Sequence, residues 1–144
     1  MESYLWLVYA LLSAVMAALV SVLGKIGLQG LDANTATVIR AVIMALFLIA
    51  VLAVQRNFSH IAEIMSNRRA LLFIFLSGIA GALSWLFYFA ALKYGKVSQV
   101  APVDKLSVVL ATIIAVIFLQ ESISWFGAAG IGLITLGVVM VALG

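Results

Sequence analysis

Residues 70–92 read ALLFIFLSGIAGALSWLFYFAAL, a run without a single charged side chain. About 20 apolar residues in a helix cover the roughly 30 Å of a bilayer's hydrocarbon core, and this run is long enough. Strands of a membrane barrel alternate apolar and polar residues over about 10 positions. No such alternation is present, so the run reads as a membrane-crossing helix. The same reading extends in both directions. On the amino-terminal side, residues 3–24 are uncharged and residues 34–54 are interrupted only by Arg40. On the carboxy-terminal side, residues 97–119 are interrupted by Asp104 and Lys105, and residues 123–143 carry no charge. The chain is therefore expected to be an all-α membrane protein with five transmembrane helices, about 3–24, 34–54, 70–92, 97–119 and 123–143, in one domain spanning residues 1–144.

Composition supports this. Of 144 residues, 67% are apolar and 9% charged, and the mean hydropathy is +1.31. Soluble domains carry about 25% charged residues, and a water-facing surface cannot be made from so few. The net charge of +3 is spread over short connections rather than gathered in a basic arm, so nucleic acid is not an expected partner. The absence of cysteine removes disulfides, thiolate metal sites and cysteine catalysis. His60 is the one histidine. No carboxylate pair, serine–histidine arrangement, metal-ligand spacing or nucleotide-binding loop stands out. Enzymatic activity, a metal or other cofactor, and ATP-driven work are not expected.

The first run differs from a secretion signal: it carries Glu2 where a signal has basic residues, and its apolar stretch exceeds the usual 7–15 residues. It is read as a retained helix. Of the connections, only 55–69 has room for extra structure, and residues 58–65 suggest a short amphipathic helix along the interface. Five spans place the termini on opposite sides. One side then carries Arg56, Arg68 and Arg69, the other Lys25, Lys93 and Lys96. Orientation follows the excess of Lys and Arg in cytoplasmic loops, and here the two sides balance. A single orientation set by the arginine-rich loop and insertion in both orientations are both open.

Residues three, four and seven apart share a helix face. Ser13, Ala17, Ser21 and Gly24 line up on the first helix, Ser77, Gly81, Ser84 and Tyr88 on the third, Ser98, Lys105 and Thr112 on the fourth. Gly130 and Gly137 share a face of the fifth. Small faces in lipid serve close helix packing; the other reading is that one face lines a cavity, with Trp85 and Tyr88 as an aromatic wall. Tyr4, Trp6, Trp125 and Phe126 lie near span ends and read as interfacial anchors. Pro102, early in the fourth helix, is either tolerated near a helix start or a hinge that loosens the turn before it.

Charges inside spans mark function, pairing or water-filled cavities. Arg40 lies about 9 Å along the second span and Lys105 about 12 Å along the fourth, at 1.5 Å per residue. The two cations are thus at similar depth. Neighbours on a helix point about 100° apart, so Asp104 is expected to meet a cation on another helix, Arg40, rather than Lys105. Lys105 is then the group available to bind a carboxylate-bearing solute or exchange a proton; the alternative is a stem that snorkels to the interface. Lys25 and Lys93 read as snorkelling residues, and Glu121 as solvated, a cap for the last helix, or a gate.

Three stretches carry a family resemblance: FYFAALKYGKVSQVAPV at 87–103, the exit FLQESIS at 118–124, and GAAGIGLITLGVVMVALG at 127–144. With DKLSVVLA at 104–111, the chain resembles a single-repeat member of the drug/metabolite transporter superfamily, EamA type. Full-length relatives carry two such repeats of inverted topology, so the resemblance implies half of an inverted-repeat transporter, completed by a second, antiparallel copy. It further implies a central cavity lined by the first, third and fourth spans, and export of small metabolites across the inner membrane of a prokaryote. The distantly related four-helix multidrug transporters use a membrane glutamate in the first helix. This chain has no acid there after Glu2, which argues against the same cation–proton exchange.

The expected function is a secondary transporter, alternating access as a homodimer and moving a small organic metabolite or drug. Lys105 is expected as the substrate or proton group, Asp104 and Arg40 as its partners, Trp85 and Tyr88 as cavity wall and Pro102 as hinge. The expected partners are a second copy, the small-molecule substrate and membrane lipids. A reading from another class is a non-transporting helical subunit, or an obligate heterodimer partner of another membrane protein.

Overall fold

A computed structural model describes residues 4–56 and 58–144. It contains helices α1 (Leu5–Gly27), α2 (Ala33–Gln55), α3 (Ser59–Ser66), α4 (Arg68–Tyr94), α5 (Val97–Asp104), α6 (Leu106–Phe118) and α7 (Trp125–Leu143). Among the described residues there is no strand. Five spans are long and apolar enough to cross a bilayer: α1, α2, α4, α5 with α6 over Val97–Phe118, and α7. The protein is an all-α, multi-pass membrane protein, because chain in hydrocarbon must satisfy its backbone hydrogen bonds within each segment.

The helix ends follow from local chemistry. Asp32 caps α2: its carboxylate accepts from the Thr35 N–H at 2.8 Å and from the Thr35 hydroxyl at 3.0 Å. Arg56 ends α2 in the left-handed region, at φ 53°. Asn67 separates α3 from α4. Its N–H closes α3 onto the Ile64 carbonyl, and its side chain accepts from the Ala70 N–H at 3.0 Å. The short helix α3 occupies the segment expected to form one. α1 and α4 run two or three residues past their apolar cores, through Lys25 and Lys93, whose long stems let a helix continue towards the interface.

Two expectations need correction. The last helix starts at Trp125 rather than Ile123, and its cap is Ser124, whose hydroxyl accepts from the Gly127 N–H at 3.1 Å. Glu121 does not cap it; it is exposed, and its N–H donates to the Ala115 carbonyl at 3.3 Å. The fourth span, expected as one helix, is two. The interruption falls at Lys105, past Pro102, not in the turn before it.

The chain divides into two compact units. Leu23–Lys93 holds the last turn of α1, α2, α3 and nearly all of α4; Leu28, Ala33, Phe89 and Leu92 are buried there, Leu92 completely. Gly24 has a structural reason in this unit. A methyl group at its Cα would overlap the Phe89 ring, so the absent side chain is what lets the ring seat against α1. In the other unit, Met1–Val22 with Tyr94–Gly144, α7 packs on both α5 and α6, and Val138 is buried.

Candidate functional site

The break in the fourth span organises one site. Proline removes a backbone donor and disturbs the helical ladder around it. One turn on, the Lys105 N–H bonds the Pro102 carbonyl at 2.9 Å, and the Lys105 carbonyl accepts the Val108 N–H at 3.0 Å. Both are tight three-residue turns rather than α-helical ones. Lys105 is the junction residue itself. Its Nζ donates to Asp104 Oδ2 at 3.3 Å. The expectation that adjacent helical residues diverge fails here because no regular helix joins the two.

Lys105 also lines a cavity of about 390 Å³ with Ala10, Ser13, Ala14, Ala17, Ser21 and others of the small face of α1, and with Ala101. Three of the aligned residues, Ser13, Ala17 and Ser21, therefore border open space. The Ser21 hydroxyl donates to the Ala17 carbonyl at 2.9 Å, which satisfies it without closing the cavity. The wall is small and mostly apolar, and Lys105 is the one charged residue that lines it. Such a chamber fits a small solute and gives it one charged handle.

Arg40 has its partners within the unit Leu23–Lys93. Its guanidinium carbon lies 3.9 Å from the centroid of the Trp85 ring and 4.3 Å from that of Phe89. Its Nη1 also contacts the Met44 sulfur at 3.6 Å. Asp104 is bonded to Lys105 within the other unit. Trp85, placed by expectation on a cavity wall, is the platform under Arg40. Tyr88 stands edge-on to both neighbouring rings, 5.8 Å from Trp85 and 5.7 Å from Phe89. Phe89 completes the group, and the spacing of 85, 88 and 89 is the sequence signal that sets the three rings on one helix face.

A second cavity, about 570 Å³, lies at the end of α1 and α4, lined by Lys25, Gln29, Asp32, Lys93 and neighbours. The Lys25 ammonium donates to the Leu92 carbonyl, so its stem folds back over the end of α4. Hydrogen bonds from Thr35 hold the Asp32 carboxyl below its ordinary pKa. The glycine faces are different again: a methyl group at Gly81, Gly130 or Gly137 would meet no atom within 4 Å. Those three positions have open space beside them.

Comparison with known proteins agrees with this architecture. The model of the EamA-like transporter family matches residues 4–143. A protein of Sinorhizobium sp. named "Uncharacterized transporter in cobO 3'region" is 39% identical over 137 residues, covering 95% of this chain and 96% of the relative. No solved structure matches. A match along nearly the whole chain, with a similar relative of comparable length, assigns the family: the chain belongs to the EamA-like transporter family.

Proposed function

We propose that this transporter is a secondary carrier of small organic metabolites or drugs, exporting them across the inner membrane of a prokaryote as an antiparallel homodimer with alternating access. The observation that carries the reading is the cavity in which the small face of α1 meets Lys105 at the break between α5 and α6. Discontinuous helices near the bilayer midplane are where secondary carriers place their substrate sites. Lys105 supplies the charge that recognises a carboxylate, and Asp104 is the counter-charge it exchanges for the substrate. Pro102 keeps the junction from closing into regular helix. Arg40, with Trp85 and Tyr88, forms the second charged element of the span region.

The open glycine faces support pairing. Small residues let helices of two protomers approach closely, and Gly81, Gly130 and Gly137 meet nothing inside one. The equal share of basic residues on the two sides supports insertion in both orientations.

The test is uptake into proteoliposomes, with a panel of labelled amino acids and other small carboxylates as probes. The Lys105→Ala protein is expected to stay folded and to lose transport of every carboxylate that the unaltered protein moves. Undiminished uptake by Lys105→Ala removes Lys105 from the mechanism. A unaltered protein that moves no member of the panel and remains monomeric favours the non-transporting subunit.

A further inference from the structure

The unit Leu23–Lys93 holds a cation in an unusual setting. Its carboxylates are engaged away from Arg40: Asp32 caps α2 through Thr35, and Glu63 pairs with His60 at 3.3 Å. Arg40 Nε is buried without a hydrogen-bond partner, although a guanidinium carries five N–H donors. What holds the charge is a pair of ring faces. Trp85 and Phe89 stack with centroids 5.6 Å apart and planes 21° from parallel, and the guanidinium carbon sits within 4.3 Å of both centroids.

The rings are fixed independently of Arg40. Tyr88 braces both edge-on, at 86° and 87°. Phe89 is buried and seated against the bare Cα of Gly24. Trp85 and Tyr88 are only half-buried, as is Arg40, so one side of the group remains open. Aromatic faces converging on one point are the arrangement that recognises guanidinium and quaternary ammonium ions.

We propose that Trp85 and Phe89 form an organic-cation site that Arg40 fills from within, so that the resident charge keeps cationic solutes off this face. The effect on solute choice rests on the transport reading above; the binding itself does not. A vacated site takes small organic cations of guanidinium or tetramethylammonium type. An occupied one repels them, and leaves the carrier to neutral and anionic solutes.

The experiment is a fluorescence titration of the purified full chain carrying Trp6→Phe and Trp125→Phe, which leaves Trp85 as the reporter among three tryptophans. Guanidinium chloride and tetramethylammonium chloride are added at millimolar concentrations, with sodium chloride at matched ionic strength as control. Arg40→Ala is expected to show a saturable change with a midpoint at least about tenfold lower than that of the Arg40 protein. Arg40→Lys, which keeps the charge, is expected to remain unresponsive. Adding Phe89→Leu to Arg40→Ala is expected to abolish saturation. An equal response with and without Arg40, a response of Arg40→Lys matching that of Arg40→Ala, or saturation that survives Phe89→Leu overturns the proposal. Arg40→Gln serves where Arg40→Ala does not fold, and absence of saturation in a folded Arg40→Gln protein overturns it equally. Saturable binding to a protein that moves no solute upholds the site and counts against the transport reading alone.

Discussion

Asp104 and Lys105 are neighbours in sequence and form an ion pair, Nζ to Oδ2 at 3.3 Å. On an unbroken helix they would point about 100° apart. They meet because α5 ends at Asp104 and α6 begins at Leu106, leaving Lys105 in the turn between. The residue in that turn, Lys105, also lines the cavity bordered by Ser13, Ala17 and Ser21. The interruption thus brings the ion pair together, and the small face of α1 supplies most of the cavity beside it.

Removing the carboxylate tests that relationship. On the proposed mechanism, Asp104→Asn takes from Lys105 the carboxylate that competes with an anionic solute. The apparent KM for a transported carboxylate is expected to fall about two- to fivefold, the scale of a partly exposed ion pair. The maximal rate is expected to fall as well, because release is no longer assisted. Initial-rate uptake at varied solute concentration measures both.

Pro102→Ala returns an N–H donor to the Ser98 carbonyl and relieves the proline ring's clash with it. A proline inside a helix costs about 3 kcal/mol or more in water, less where a membrane site has adapted to it. The variant is expected to gain about 1–3 kcal/mol in stability and to lose turnover. Thermal unfolding in detergent and uptake rates read the two effects separately.

Gly24→Ala drives a methyl group into the Phe89 ring, which has little room to yield because it is buried. A loss of about 1–3 kcal/mol is expected, in the range for overpacking. Combining it with Phe89→Leu is expected to recover part of the loss. Gly81→Ala, which meets nothing within 4 Å, is expected to change monomer stability by less than about 0.5 kcal/mol. Melting curves of the four proteins decide it.

Asp32 gives the pH dependence of the α2 cap. Thr35 hydrogen bonds lower its folded pKa below the ordinary carboxylate value. Its contribution is therefore fully present above the unfolded pKa of about 3.9 and is lost as pH falls through the lower, folded value. Asp32→Asn is expected to flatten this acid limb while changing the unfolding midpoint little at pH 7, since asparagine also caps. Unfolding midpoints between pH 3 and pH 7 test this.

Insertion in both orientations is checked at the termini. Reporters active in only one compartment, fused to the carboxy-terminal end, are expected to be active in both compartments from a single coding sequence. Adding two lysines to the loop of Arg68 and Arg69 is expected to bias the chain to one orientation and to reduce transport accordingly.

Much of the fold was legible because uncharged runs in hydrocarbon have one solution. Each of the five spans was visible, with ends displaced by a few residues where Lys25, Lys93 or Ser124 decided them. The candidate site was legible in depth but not in direction. The rise per residue placed Arg40 and Lys105 at similar levels, and that level suggested Arg40 and Asp104 as a pair. Depth along a helix does not say which way a side chain turns.

By itself the sequence determined the helical, membrane-crossing architecture, the small face of α1 and the positions of its embedded charges. These follow from hydrocarbon thickness and helical repeat, which are properties of single segments. Tertiary structure alone decided that Arg40 rests on Trp85 and Phe89, which stand on another helix; the break that sets Lys105 beside Asp104 is local to the segment after Pro102. The seat of Arg40 depends on how α2 and α4 are rotated against each other, which the repeat of a single segment does not contain.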